Sequence, residues 1–162
     1  MRIVCISDTH VPSGMGKLPP ALYEALKGAD LIIHAGDLTS PDIIEELGAY
    51  APVEAVVGNM DGADLAETLP DGKVINAGGL TIAIAHGSGP PEGIEDRLLE
   101  KYRPGEIDIL VYGHSHNPNI ERRSGVLLVN PGSPTDKRWA PYTSYAVINI
   151  LDEGVGAEII KL

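Results

Sequence analysis

The stretch Met1-Arg2-Ile3-Val4-Cys5-Ile6-Ser7-Asp8-Thr9-His10 decides the fold. Its apolar run shows no polar alternation, which suits a strand buried on both faces of a sheet, and it stops at a carboxylate and an imidazole. In extended backbone, residues two apart point to the same side, so Asp8 and His10 can grip one cation from a strand end. Later apolar runs finish in the same way. Leu31-Ile32-Ile33 leads to Asp37, residues 53–57 stop at Gly58-Asn59, 82–85 at His86, and 107–112 at Gly113-His114-Ser115-His116.

Between these runs lie helix signals. Residues 19–27 predict a helix with Leu22 and Leu26 on one face and Gly28 as the stop. Ser40 predicts an N-cap, Pro41 a first-turn residue, Ile43, Ile44 and Leu47 a buried face, and Gly48 the end. Residues 91–102 predict the clearest helix, because Ile94, Leu98 and Tyr102 recur at four-residue spacing. Residues 73–85 predict two strands joined through Gly78-Gly79, and 119–123, 126–130, 144–150 and 156–160 predict further short strands. The segment 11–18, with Pro12, Gly14 and Gly16, predicts a loop beside the first two ligands, with a lid as the less plain reading.

Strand–helix alternation in the first half predicts an α/β fold with a mainly parallel sheet, whose ligands bind outside the carboxyl ends of the strands. The strand-rich second half predicts a further sheet packed on the first. No repeat or linker divides the chain, and 162 residues predict one domain over 1–162, too short for a separate substrate-binding cap.

Composition narrows the functions. With 43% apolar and 22% charged residues the chain is globular rather than disordered. No apolar run can span a bilayer and no signal-peptide pattern follows Met1, so a cytoplasmic protein without a membrane partner is expected. The single cysteine, Cys5, excludes an internal disulfide and a Cys-based zinc cluster, and its setting between Val4 and Ile6 marks a core residue. A net charge of −11 repels polyanions, so nucleic acid is not an expected partner. Divalent metals would reverse that sign locally and admit a small phosphate ester. The sequence does not set the oligomeric state, and a homodimer is compatible with it.

The strand-end residues are Asp8, His10, Asp37, Asn59, His86, His114 and His116. Seven ligands exceed the needs of one metal with an open position and suit two metals sharing a carboxylate. Imidazole, carboxylate and a neutral amide together match Mn, Fe, Co, Ni or Zn and disfavour all-oxygen metals such as Ca.

Ser7-Asp8-Thr9-His10, His34-Ala35-Gly36-Asp37, Gly58-Asn59, His86-Gly87 and Gly113-His114-Ser115-His116, in that order, resemble the five signature blocks of the calcineurin-like metallophosphoesterases. The short length, Gly58-Asn59-Met60-Asp61 and Asn130-Pro131-Gly132-Ser133 resemble its small bacterial and archaeal phosphodiesterase group, which also contains the retromer subunit Vps29. The resemblance implies a four-layer sandwich of two β-sheets flanked by helices. It also implies two divalent ions, Mn or Ni favoured, with Asp8, His10, Asp37 and His116 on one, Asp37, Asn59, His86 and His114 on the other, and Asp37 bridging. Two cations about 3.5–4 Å apart would present a bridging hydroxide to phosphorus and neutralise the phosphoryl oxygens, so hydrolysis of a phosphodiester is expected, with Asp37, Asn59 and His86 at the reacting centre.

One departure matters. Many superfamily members have His after the Asn, and here Met60 stands in that place, followed by Asp61. A thioether cannot protonate a departing alkoxide, so acidic leaving groups are expected to be favoured unless Asp61 serves as the proton donor; Asp61 as a plain turn cap is the competing reading. His34 is expected to orient the Asp37 loop, not to bind metal. Lys137 and Arg138 read as solvated, with contact to substrate phosphate as the alternative, and Trp139 and Tyr142 as rim or packing residues. Two rival functions stand beside the diesterase: a non-catalytic Vps29-like protein-binding scaffold, and a phosphomonoesterase.

Overall fold

The computed structural model describes residues 1–11 and 18–162. Residues 12–17, and with them most of the segment considered as a lid, lie outside the described residues.

Strand β1 (Arg2–Ile6) pairs in parallel with β2 (Leu31–His34), and β2 in parallel with β3 (Val53–Ala55). Helices α1 (Pro20–Leu26) and α2 (Asp42–Gly48) make the crossovers. After β3 come α3 (Ala63–Thr68), β4 (Gly72–Ala77), β5 (Leu80–Ala85), α4 (Ile94–Lys101), β6 (Ile109–Tyr112), β7 (Asn119–Arg123) and β8 (Val126–Asn130). The chain finishes with β9 (Ser144–Leu151) and β10 (Gly154–Lys161). One sheet runs β10-β9-β1-β2-β3 and the other β4-β5-β6-β8-β7.

Every β1 residue after Arg2 is buried, and the two faces bury against different partners. Ile3 and Cys5 join Ile33, Ile84, Val111, Val129 and Ile148 between the sheets. Val4 and Ile6 pack under Leu22, Leu26, Ile43 and Leu47 of α1 and α2, with Leu65 of α3 in the same cluster. On the far side, Ala83, Leu110 and Leu128 meet Ile94, Leu98 and Tyr102 in and after α4. The result is the expected four layers, and it explains why the first strand shows no alternation. Each fully buried Ile or Leu contributes roughly 1.5–3 kcal/mol, so a polar replacement on either face of β1 would be costly.

Several boundaries differ from expectation for local reasons. α4 begins at Ile94 rather than at residue 91, because Gly93 takes a left-handed φ of 71°. β3 ends at Ala55, since the Val57 N–H turns away to the carbonyl of Pro70 (3.0 Å). α3 falls in a stretch with too few apolar residues to announce a helix. Ser40 does not occupy the N-cap position, which is Pro41, but its Oγ accepts the N–H of Asp42 at 3.2 Å. Among the described residues, no helix is long and apolar enough to cross a membrane.

In each sheet the parallel strands end at a common edge. Ile6 is paired with His34 and His34 with Ala55, so the segments carrying Asp8, Asp37 and Asn59 leave the first sheet side by side. Ala85 is paired with Tyr112, so His86 and the His114–His116 loop leave the second sheet together.

Candidate metal centre

All seven expected strand-end ligands converge where the two sets of strand ends meet. Asp8, His10 and His116 place ligand atoms within 4.8 Å of one another, and so do Asp8, Asp37 and His86. Asp37 Oδ2 lies between the groups, 3.6 Å from His10 Nε2 and 3.3 Å from His86 Nε2. Its other oxygen, Oδ1, accepts the N–H of Met60 at 2.7 Å. Asp8 also faces both ways, with Oδ1 3.3 Å from His116 Nε2 and 3.9 Å from His86 Nε2. Asn59 Oδ1 gathers the remaining pair, 3.1 Å from His86 Nε2 and 2.9 Å from His114 Nδ1.

The backbone is bent to achieve this. Among the described residues, eight non-glycine residues have positive φ, and five of them are Asp8, His10, Asp37, His114 and His116. Left-handed backbone costs such residues of order 1–3 kcal/mol each, and such strain clusters at working sites. Glycines allow the close approach: a Cβ on Gly58 would lie 2.2 Å from Asp37 N, and one on Gly113 2.8 Å from Asp8 Oδ2.

Backbone carbonyls set the imidazole tautomers. His86 donates from Nδ1 to Ala35 O (2.7 Å), His116 from Nδ1 to Asp136 O, and His114 from Nε2 to Gly89 O (2.8 Å). The inner nitrogens of His86 and His116 face the carboxylates and that of His114 faces Asn59 Oδ1, the arrangement that outer partners of metal-bound histidines produce. The bare nitrogen of His116 sits 3.2 Å from His10 Nε2, with the rings stacked. Ligand atoms of imidazoles, carboxylates and an amide thus face one another across the centre, as they would around cations.

Protonation tendencies agree. Burial lowers the pKa of His10, and takes that of His116 down to about 4, so both are neutral near pH 7 and free to ligate. Burial pushes the Asp8 carboxyl up to about 6, the cost of a carboxylate enclosed without a cation. At Asp37 burial acts upward, but the hydrogen bond and charge of His86 outweigh it and the pKa falls. At His86 burial acts downward, but the bond to Asp37 and the charges of Asp8 and Asp37 outweigh it and the pKa rises. A proton drawn onto His86 by those carboxylates stands where a cation would compete.

The surrounding residues hold this arrangement. Asp61 accepts three backbone N–H groups, those of Gly58 (2.7 Å) and Asp37 (3.1 Å) on Oδ2 and that of Thr39 (2.7 Å) on Oδ1. Three of the roughly four lone-pair positions of its carboxylate are thereby engaged. His34 is fully buried, neutral through burial, and touches Thr9 Oγ1 from Nε2 at 3.1 Å, in keeping with a supporting role. Ser133 Oγ donates to Asp8 O (2.7 Å), and Asn130 Nδ2 to Gly113 O (3.1 Å). The Asp136 and Gly89 carbonyls went unnoticed in the sequence, because any residue type can supply a carbonyl. Lys137 and Arg138 are exposed, as expected. Trp139 is 96% exposed and does not pack.

Buried carboxylates and carbonyl-pinned histidines, brought together at the strand ends of a double-sheet sandwich, define a candidate metal centre. Residues 1–153 match the calcineurin-like phosphoesterase superfamily domain, and the chain belongs to that family. It is 41% identical over 163 residues to a protein of Methanothermobacter thermautotrophicus described as a probable metallophosphoesterase, covering 99% of this chain and 92% of that one. Two solved structures share the fold at lower identity. Vps29 of Entamoeba histolytica complexed with zinc is 24% identical with a TM-score of 0.76, covering 99% of each chain. A structure described as a novel archaeal phosphodiesterase is 22% identical with a TM-score of 0.72, covering 99% of this chain and 100% of the other.

Proposed function

We propose that this protein hydrolyses phosphate esters, phosphodiesters in preference to monoesters, at a centre of two divalent transition metal ions, with Mn or Ni favoured. Asp8, His10, Asp37 and His116 hold one ion; Asp37, Asn59, His86 and His114 hold the other. Asp37 would be shared between them: its Oδ2 faces both His10 and His86, while Oδ1 accepts the Met60 N–H. When bound, the ions supply charge against the phosphoryl oxygens and acidify a water for attack on phosphorus.

The observation that carries this reading is the set of three imidazoles whose outer nitrogens are spent on carbonyls and whose inner nitrogens converge on Asp8, Asp37 and Asn59. A protein surface with no use for cations has no cause to bury such a set beside two carboxylates. The chain's own residues then orient the centre, and none stands ready to protonate a leaving group. Met60 is exposed and has no proton to donate, and Asp61 is engaged in tying the Asp37 and Gly58 loops together. We therefore assign Asp61 to loop positioning rather than to proton transfer, and infer a preference for diesters with acidic leaving groups. The archaeal phosphodiesterase of the same fold is consistent with a diester substrate.

Hydrolysis of bis-p-nitrophenyl phosphate with added Mn²⁺ or Ni²⁺ tests the proposal. Activity should exceed that on p-nitrophenyl phosphate and be lost in Asp37→Ala and His114→Ala. A greater rate on the monoester would point to a phosphomonoesterase. A folded, metal-loaded protein that hydrolyses neither ester would favour a scaffold role like that of Vps29.

A further inference from the structure

Beside the metal centre, α4, the segment after β3 and the end of β5 line an open cavity of about 420 Å³, within the range of small-molecule sites. Asn59 and His86 line it, so it opens directly onto the proposed second ion site. Ile94 and Leu98 lie buried under its wall, and Arg97, Lys101 and Asp71 supply charge at its surface.

The two cations differ in what they can do. Arg97 is committed: Nε and Nη2 donate to Ser88 O at 3.2 and 2.9 Å, Nη1 to Glu92 O at 2.9 Å, and Nη2 also to Pro90 O. It pins the wall of the cavity and leaves its charge there, with no carboxylate partner among the described residues. Lys101, one turn further along α4, is exposed, and its Nζ lies 5.3 Å from the centre of the Tyr102 ring. It too has no ion-pair partner among the described residues. Two cations against Asp71 make a locally positive cavity on a chain of net charge −11, which favours an anionic occupant there and nothing anionic over most of the surface.

We propose that this cavity seats one ester arm of the substrate, an arm whose anionic end faces Lys101. The assignment rests on the phosphodiesterase reading and adds a substrate class to it: diesters whose arm carries a carboxylate or second phosphate.

The test compares bis(4-carboxyphenyl) phosphate with diphenyl phosphate, both symmetrical, so that whichever arm enters the cavity carries the probe. The ratio of kcat/KM for the two esters is measured in the wild type, Lys101→Ala and Lys101→Glu, which cancels the intrinsic difference in reactivity. Lys101 is exposed at the last residue of α4, so its replacement leaves the core untouched. The preference for the carboxylated ester should fall about threefold to fivefold in Lys101→Ala, as for an exposed charge pair, and about tenfold or more in Lys101→Glu. Lys27→Glu on the paired surface lysine after α1 controls for net charge and should shift the ratio less. One ratio shared by wild type and both Lys101 variants would overturn the proposal. If neither the wild type nor any variant hydrolyses a diester, the phosphodiesterase reading fails, and the cavity is judged by calorimetric binding of 4-carboxyphenyl phosphate against phenyl phosphate. Selective weakening of the carboxylated ligand in Lys101→Glu would then support the site, and equal affinities would overturn it.

Discussion

The carboxylate of Asp61 accepts the backbone N–H of Asp37 at 3.1 Å, across 24 residues of chain. Its bonds to Gly58 and Thr39 complete a tie between the loops after β2 and β3, and Asp37 and Thr39 are both in left-handed backbone, at φ 58° and 68°. Loss of the tie releases that strain and lets the Asp37 carboxylate drift. Asp61→Ala should weaken Mn²⁺ binding by about 10–100-fold, the usual effect of removing an outer partner of a metal site. Asp61→Asn, which keeps one acceptor oxygen, should fall between the two. Calorimetric titration of the metal-free proteins decides, and unchanged affinity in Asp61→Ala would remove Asp61 from the account.

Gly58 approaches the same carboxylate without positive φ; here closeness, not conformational freedom, demands glycine. A Cβ would lie 2.2 Å from both Asp37 N and Asp37 Oδ1. Gly58→Ala should cost about 1–3 kcal/mol, in the range of overpacked sites, and should also weaken metal binding. Thermal unfolding and metal titration of one preparation would show both effects; a variant as stable and as tight as the wild type would contradict the packing described.

Without a proton donor beside Asn59, hydrolysis should slow steeply as the leaving group becomes more basic. A series of aryl methyl phosphodiesters of graded phenol pKa measures the dependence. A flat plot would mean that an acid acts after all, and would reopen the case for Asp61.

Cys5 is fully buried between the sheets, and burial holds its thiol far above the ordinary range. A thiol kept protonated and enclosed is inert. The folded protein should react with a disulfide reagent only as fast as it unfolds, and one equivalent should be taken up at once in denaturant. Rapid labelling of the native protein would place Cys5 outside the core.

Much of this was legible from the sequence because the strands advertise themselves. Runs such as Ile3–Ile6 and Ile82–Ala85 are apolar throughout, since one face packs between the sheets and the other under a helix. The ligands that follow are residue types rarely left at buried strand ends without purpose. What stayed hidden depends on groups that carry no signature. The partners of Asp61 are backbone N–H groups, and those of His86, His114 and His116 are backbone carbonyls, all supplied by distant turns. The late start of α4 turns on one glycine dihedral, and α3 buries only Leu65, too little for a periodic pattern.

The central claim is that Asp37 joins two ions in one centre. Titration of the metal-free protein with Mn²⁺, followed by electron paramagnetic resonance, tests it most directly. Two ions per chain with an exchange-coupled spectrum, and loss of the coupling in Asp37→Ala, are the predicted result. A single ion per chain, or two ions with uncoupled spectra in the wild type, would contradict it.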